Sequence, residues 1–176
     1  MTTTPPRPGA HGGDGPAIAA WLGVGHDSVL DLSASLNPFP PEIAPLLARH
    51  AGAAGRYADP GPLEAALAAH LGTDADRVVL THGASGAIAL LAQLLVRGRV
   101  DEPEFSLYRR HLQLDPDAPR WRSNPRSPTG HLAEASDRAG VWDEAYWQLA
   151  TGTWTRGEHD RGAFTIGSLT KLFATP

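Results

Sequence analysis

Two patterns of apolar positions alternate along this chain: stretches with helical i, i+3, i+4 spacing, and very short apolar runs bounded by Gly, Pro and Asn. Pro16 opens a helix that ends near Gly23, with proline in the first turn and glycine at the exit. Val29 to Leu32 reads as a brief extended segment before the turn at Asn37-Pro38. Pro41 to His50 reads as a helix closed by Gly52, and the turn Arg56 to Pro62 opens another over Leu63 to Leu71, stopped by Gly72. Val78 to Thr81 reads as a short apolar strand. It is followed by His82-Gly83-Ala84-Ser85-Gly86 and a strongly apolar helix to Val96, which Arg97-Gly98 ends.

Beyond this point the elements are compressed. Glu104 to Leu112 reads as a helix, Asp115 to Pro119 as a proline-broken loop, and Trp121 to Ser123 as a stub of strand. The turn Asn124 to Gly130 leads to two turns of helix over Leu132 to Arg138 and a second stub at Gly140 to Trp142. The last strand is expected over Ala163 to Gly167, with Lys171 just past its end. Strands alternating with helices predict an α/β fold with a mostly parallel sheet. Several connections are shorter than the dozen or so residues of a crossover. Residues 1–15 read as a mobile arm and residues 16–176 as one domain, with no internal repeat.

Composition narrows the function. The chain has 176 residues, 41% hydrophobic and 19% charged, which suits a cored domain and excludes a solvated, disordered one. A formal net charge of −4 with scattered arginines lacks the footprint of a nucleic-acid binder. No apolar run is long enough to span a bilayer, and Met1 to Gly15 has neither the basic nor the apolar region of a secretory signal, so a cytoplasmic protein is expected. With 0 cysteines and the 8 histidines spread singly, no metal site is expected. One feature is sharper: of the 15 basic side chains, only Lys171 is lysine. An amine can lose its proton and condense with a carbonyl, whereas a guanidinium stays protonated. A lysine kept where arginine replaces every other one is therefore a candidate for covalent chemistry, against the plain alternative of a surviving surface residue.

Other candidates surround it. Ser85 sits where an N-cap is expected, at the start of a helix whose first-turn N–H groups attract phosphate; capping alone also accounts for it. Asp143-Glu144-Ala145-Tyr146 follows a strand stub, where loops of parallel sheets gather their functional groups, and an acidic helix start accounts for it equally well. Ser168-Leu169-Thr170-Lys171 flanks the amine with two hydroxyls, which also suit a cap. Gly83-x-Ser85 followed by Asp143 and His159 matches the order of a serine hydrolase, but position 87 holds Ala87 where a nucleophile elbow has glycine.

Taken in order, a phosphate cup, a proline turn, a ring-facing carboxylate and a lysine between hydroxyls resemble the fold-type-I pyridoxal-phosphate (PLP) enzymes of the class I/II aminotransferase superfamily. The nearest likeness is to the threonine-phosphate decarboxylase and histidinol-phosphate aminotransferase branch. It runs from His11-Gly12-Gly13 through Asp31-Leu32-Ser33-Ala34-Ser35-Leu36-Asn37-Pro38 to Pro176. The resemblance implies a three-layer α/β/α large domain and a PLP-dependent decarboxylation or transamination of a small, phosphorylated amino acid or amine, as in cobalamin biosynthesis. By the same resemblance Lys171 holds the cofactor as an internal aldimine, Asp143 pairs with the pyridinium nitrogen, and Tyr146 bonds the ring oxygen. Ala84, Ser85, Ser168 and Thr170 hold the phosphate, while Tyr108 stacks on the ring. Tyr57 reaches the site of a neighbouring subunit, implying a homodimer, and Asn37 and His11 lie on the substrate side. No nucleic-acid or membrane partner is implied.

The chain also departs from the family pattern. Ser127 stands where the family turn has an asparagine that bonds the ring oxygen. Tyr108 to Ser123 and Gly130 to Asp143 are shorter than in the family, and the first implies a lost strand that leaves a gap or a repaired edge in the sheet. The chain ends at Pro176, before the family's Gly-Leu-Arg segment and C-terminal small domain, so an incomplete large domain is expected, with apolar faces such as that of Ala87 to Val96 exposed. The alternative function is a non-catalytic remnant or interaction protein that keeps the fold.

Overall fold

The computed structural model describes residues 4–9 and 12–175. The chain divides into two compact units, residues 1–38 and 39–176.

In the first unit, α1 (Gly15–Leu22) has proline in its first turn and ends on Gly23 in the left-handed conformation, as expected. The extended segment at Val29–Leu32 joins no sheet. Asp31, within that segment, organises the unit: its carboxylate accepts the Gly15 N–H at 2.7 Å, the Ser33 N–H at 2.8 Å and the Ser33 hydroxyl at 2.6 Å. The bonds from Ser33, foremost its hydroxyl, hold the Asp31 carboxyl below its ordinary pKa. Ser33 Oγ in turn accepts the Gly13 N–H at 3.0 Å. A Cβ on Gly12 would lie 2.0 Å from the Ser33 carbonyl oxygen, so only glycine permits this approach. The glycine pair and the Asp-Leu-Ser run are thus two halves of one local lock.

The second unit carries α2 (Ala44–His50), α3 (Gly61–Leu71), α4 (Gly83–Leu95), α5 (Tyr108–His111), α6 (Trp147–Thr151) and α7 (Leu169–Phe173). Its strands are β1 (Arg97–Val100), β2 (Gln113–Leu114), β3 (Arg120–Ser123), β4 (Val141–Asp143) and β5 (Phe164–Ile166). They form one five-stranded sheet in the order β2-β1-β3-β4-β5, parallel at every pairing. The expected α/β class with a parallel sheet is therefore what the chain adopts.

Alternation along the strands separates two buried faces. Trp121, Val141 and Ile166 project to one face, where they form the core with Ile88 and Ala92 of α4, Tyr108 of α5 and Leu112. Ile88 and Ala92 are four apart on α4 and share its inner stripe. On the outer side of that helix Leu90 and Leu94 stay 51% and 66% exposed, as expected for this apolar helix. The opposite sheet face carries Arg122, Trp142 and Thr165, in one cross-strand row.

The sheet has no gap between Tyr108 and Ser123, because two strands share one neighbour. β2 pairs with the first half of β1 (Arg97↔Gln113, Gly98↔Leu114), and β3 with the second half (Arg99↔Arg120, Val100↔Trp121). The end of β2 and the start of β3 thus stand at almost the same height on either side of β1. Residues 115–119 have only to cross two strand spacings, about 10 Å, which a few extended residues span. Gly98 lets Leu112 and Trp121 close over β1: a Cβ there would lie 2.8 Å from Leu112 Cδ1 and from Trp121 Cδ1 and Nε1.

Four sequence expectations are corrected. Val78–Thr81 is not a strand: the Leu80 N–H donates to the Glu64 carboxylate at 2.9 Å and Val79 is 67% exposed. Arg97-Gly98 does not merely end α4 but begins β1. The helix expected from Glu104 is a single turn at Tyr108–His111. Leu132–Arg138 is not helical, because side chains take its backbone groups: Asn124 Oδ1 accepts the Ala133 N–H, Asp137 accepts the Glu134 N–H, and Arg138 donates to the Ala135 carbonyl.

Candidate active site

The carboxyl ends of β3, β4 and β5 are level, with Ser123, Asp143 and Ile166 in register across the three strands. This is the edge where open parallel sheets bind ligands. α4 turns into β1 through the single residue Val96, so it runs back along the strands and its amino end lies toward the same edge.

Asp143 ends β4 and is buried. Its Oδ2 accepts the Tyr108 hydroxyl at 2.8 Å, and its Oδ1 accepts the Ala145 N–H at 3.0 Å. Burial raises the Asp143 carboxyl above its ordinary pKa, and these two donors oppose the rise. Burial, and after it the adjacent Asp143 charge, pushes the Tyr108 phenol well above its own usual value, so it remains a donor. The Tyr108 ring is fully enclosed, edge-on to Phe105 at 5.7 Å and tilted against Trp121 at 5.7 Å. Two acceptor positions of Asp143 are thus taken by protein, and the carboxylate has lone pairs for further donors.

Lys171 stands past β5, in the short helix α7. Ser168 caps that helix, its Oγ accepting the Lys171 N–H at 3.3 Å, and Ala174 closes it in the left-handed conformation. The Lys171 amine lies 5.5 Å from the centre of the Tyr146 ring, a cation–π contact that ties β5's exit to the loop after Asp143. Ser168 is buried, while Thr170 and Lys171 are half-buried.

Ser85 is not an N-cap. Helix α4 begins at Gly83 after His82, and no side chain caps it. The Gly83 N–H bonds the Thr81 carbonyl, and that of Gly86 bonds the His82 carbonyl. The Ala84 and Ser85 N–H groups, in the first helical turn, have no intrahelical acceptor and suit an incoming anion. Ser127 is half-buried, held by its N–H, which donates to Ser123 Oγ at 2.8 Å.

The structure thus brings Asp143, Tyr108, Tyr146 and Lys171 into two linked contacts. Tyr108 is enclosed in the core with its hydroxyl on Asp143, rather than standing as a free stacking surface. Tyr57 is 105% exposed. Asn37 is half-buried in the first unit, and His11 lies outside the described residues. Glu144, the second carboxylate of its motif, has a structural role: buried, it accepts the Arg156 N–H on both oxygens at 3.2 and 3.3 Å. The hydrolase order dissolves, since Asp143 bonds Tyr108 and Ala145, while His159 Nε2 faces Asp160 at 3.5 Å. Among the described residues no His, Asp and Glu cluster suits a metal ion, and no helix is long and apolar enough to cross a membrane.

Sequence reasoning missed Glu104 and Ser123. Glu104 is buried and accepts both the N–H and the hydroxyl of Ser123, which shares its sheet face with Asp143. Burial raises the Glu104 carboxyl, and the Ser123 bonds oppose the rise. Ser123 was detectable as the residue two after Trp121 on the same face of β3, whereas Glu104 had no periodic signal.

No protein-family model and no curated protein matches this chain. Solved structures do. L-threonine-O-3-phosphate decarboxylase from Porphyromonas gingivalis superposes with a TM-score of 0.67 at 20% identity, over 82% of this chain and 58% of that one. The histidinol-phosphate aminotransferase from Clostridium acetobutylicum gives 0.67 at 20% identity, over 84% of this chain and 58% of that one. This chain therefore spans less than two thirds of either enzyme, and over that span it has their α/β fold.

Proposed function

We propose that this chain is the PLP-binding portion of an enzyme that decarboxylates or transaminates a small phosphorylated amino acid or amine. The observation that carries the reading is the Lys171 amine over the Tyr146 ring, three residues beyond a buried Asp143 at the carboxyl edge of the sheet. The names of the similar structures, a threonine-phosphate decarboxylase and a histidinol-phosphate aminotransferase, support the reaction type and the substrate class.

The donor set fits PLP. Asp143 keeps lone pairs for a protonated ring nitrogen, and the Tyr146 hydroxyl would bond the ring oxygen. The Ala84 and Ser85 N–H groups at the uncapped end of α4, with the Ser168 and Thr170 hydroxyls, are suited to the phosphate. Lys171 would hold the cofactor by its amine, the nucleophile suited to an aldehyde. Bound PLP supplies an electron sink for cleavage of a bond at the substrate Cα. Around that chemistry the chain's residues bind, orient and move protons. Asp143 holds the proton on the ring nitrogen, and burial excludes water from that pair. The Lys171 amine would take or return the proton at the substrate Cα. Tyr57, fully exposed, is available to reach the site of a second copy in a homodimer.

A second reading, a non-catalytic chain that keeps the fold, is favoured by the two intramolecular donors already on Asp143. One experiment separates them. The full chain is incubated with PLP, scanned for a visible absorption band, reduced with borohydride and peptide-mapped. An adduct on Lys171, absent in Lys171→Ala, is expected; no adduct leaves the second reading. Assays with threonine phosphate and histidinol phosphate then distinguish decarboxylation from amino transfer.

A further inference from the structure

We infer that Glu104 is a positioning residue of this site, acting through Ser123 to hold Ser127 at the cofactor's edge; the inference rests on the PLP reading above. The geometry is a buried relay. Glu104 Oε2 accepts the Ser123 N–H at 3.1 Å and the Ser123 hydroxyl. With its proton committed to Glu104, Ser123 Oγ presents a lone pair, and the Ser127 N–H donates to it at 2.8 Å. A hydroxyl has one proton to give, so the Glu104 acceptor decides which way the Ser123 dipole points. Were that acceptor removed, the same hydroxyl could turn its proton elsewhere and release Ser127.

The relay is anchored at both ends. Arg126, the neighbour of Ser127, places its Nε 3.7 Å from Glu104 Oε1 and 3.0 Å from the Pro103 carbonyl oxygen, and donates to the Asp101 carbonyl at 2.5 Å. The Glu104 N–H itself is held by the Glu102 carboxylate at 3.2 Å. The segment after β1 and the turn after β3 are therefore clamped together by one buried carboxyl. The clamp borders the catalytic edge, because Ser123 is the cross-strand partner of Asp143. Glu104 also acts on Tyr108: its charge adds to those of Asp143 and burial in keeping the phenol protonated, and so a donor to Asp143. Its neighbours thus include Ser123, Arg126, Tyr108 and, through Tyr108, Asp143.

The test is a double-mutant cycle on PLP binding by the full chain, read by absorbance titration, with the visible maximum and its pH midpoint recorded for each variant. Glu104→Ala and Ser127→Ala are each expected to weaken PLP binding about tenfold and to shift the visible maximum, and the double variant to be no worse than either. Glu104→Gln keeps an acceptor for Ser123 and is expected to restore the maximum, which a merely structural role would not do. Circular dichroism of each variant checks folding, and the Gln variant keeps the test decisive where Ala does not fold. Additive losses, or a band unchanged in Glu104→Ala, overturn the inference while PLP binding by the wild-type chain stands. Failure of the wild-type chain to bind PLP at all overturns the parent reading and this one together.

Discussion

Replacing Tyr108 with phenylalanine tests the core of the site without touching Lys171. The ring and its contacts with Phe105 and Trp121 remain, and only the hydroxyl that donates to Asp143 at 2.8 Å is lost. A hydrogen bond to a charged group contributes about 1.5–3 kcal/mol net, and a bond between neutral groups about 0.5–1.5 kcal/mol. The cost of Tyr108→Phe therefore depends on whether Asp143 is ionised. Burial holds the Asp143 carboxyl above its unfolded value, and the Tyr108 hydroxyl is the largest influence opposing that rise. A carboxyl raised on folding contributes stability that is present below its unfolded pKa and is lost as pH climbs through the folded one. Removing the phenol raises Asp143 further, so the penalty grows with pH. We expect a loss of about 2 kcal/mol near pH 7, shrinking to about 1 kcal/mol near pH 4. In a chain of this length the larger value corresponds to a fall of about 4–8 °C in Tm. Urea unfolding followed by tryptophan fluorescence at the two pH values measures both, with Trp121 packed 5.7 Å from the Tyr108 ring as reporter. An equal loss at both pH values, or none at neutral pH, refutes an ionised Asp143 held by Tyr108.

Three further outcomes are expected. Gly98→Ala forces a methyl to within 2.8 Å of Leu112 and Trp121 and should cost about 1–3 kcal/mol in the same unfolding assay. Ala174→Gly, at the left-handed residue that closes the helix of Lys171, should raise stability by up to about 1 kcal/mol; a loss would show that the observed φ of 50° carries no strain. Arg156→Ala removes the guanidinium 4.8 Å over Trp142 and one of the two arginines on the buried Glu158, at a cost of about 2–4 kcal/mol. Glu158→Gln in that background should recover part of it, as judged by urea midpoints.

The sequence by itself determined what depends on residue type and short spacing. Ser168 and Thr170 also read as a Ser/Thr cap at a strand end, and Ser168 does cap the helix that carries Lys171. The parallel α/β class followed from alternating elements, and the short strands at Trp121, Val141 and Phe164 fell within a residue or two of their expected places. Tertiary structure alone decided what depends on long-range partners. Val78–Thr81 has strand-forming side chains, but a strand exists only where another edge accepts its ladder, and here Glu64 takes the Leu80 N–H instead. Arg97–Val100 has little apolar character of its own, yet it becomes the strand shared by β2 and β3 because Gly98 admits Leu112 and Trp121. The link from Tyr108 to Asp143 spans 35 residues, and that from Ser123 to Glu104 spans 19. Such bonds leave no periodic trace along a chain, because the free energy that selects them comes from burial in a common core, which no local stretch contains.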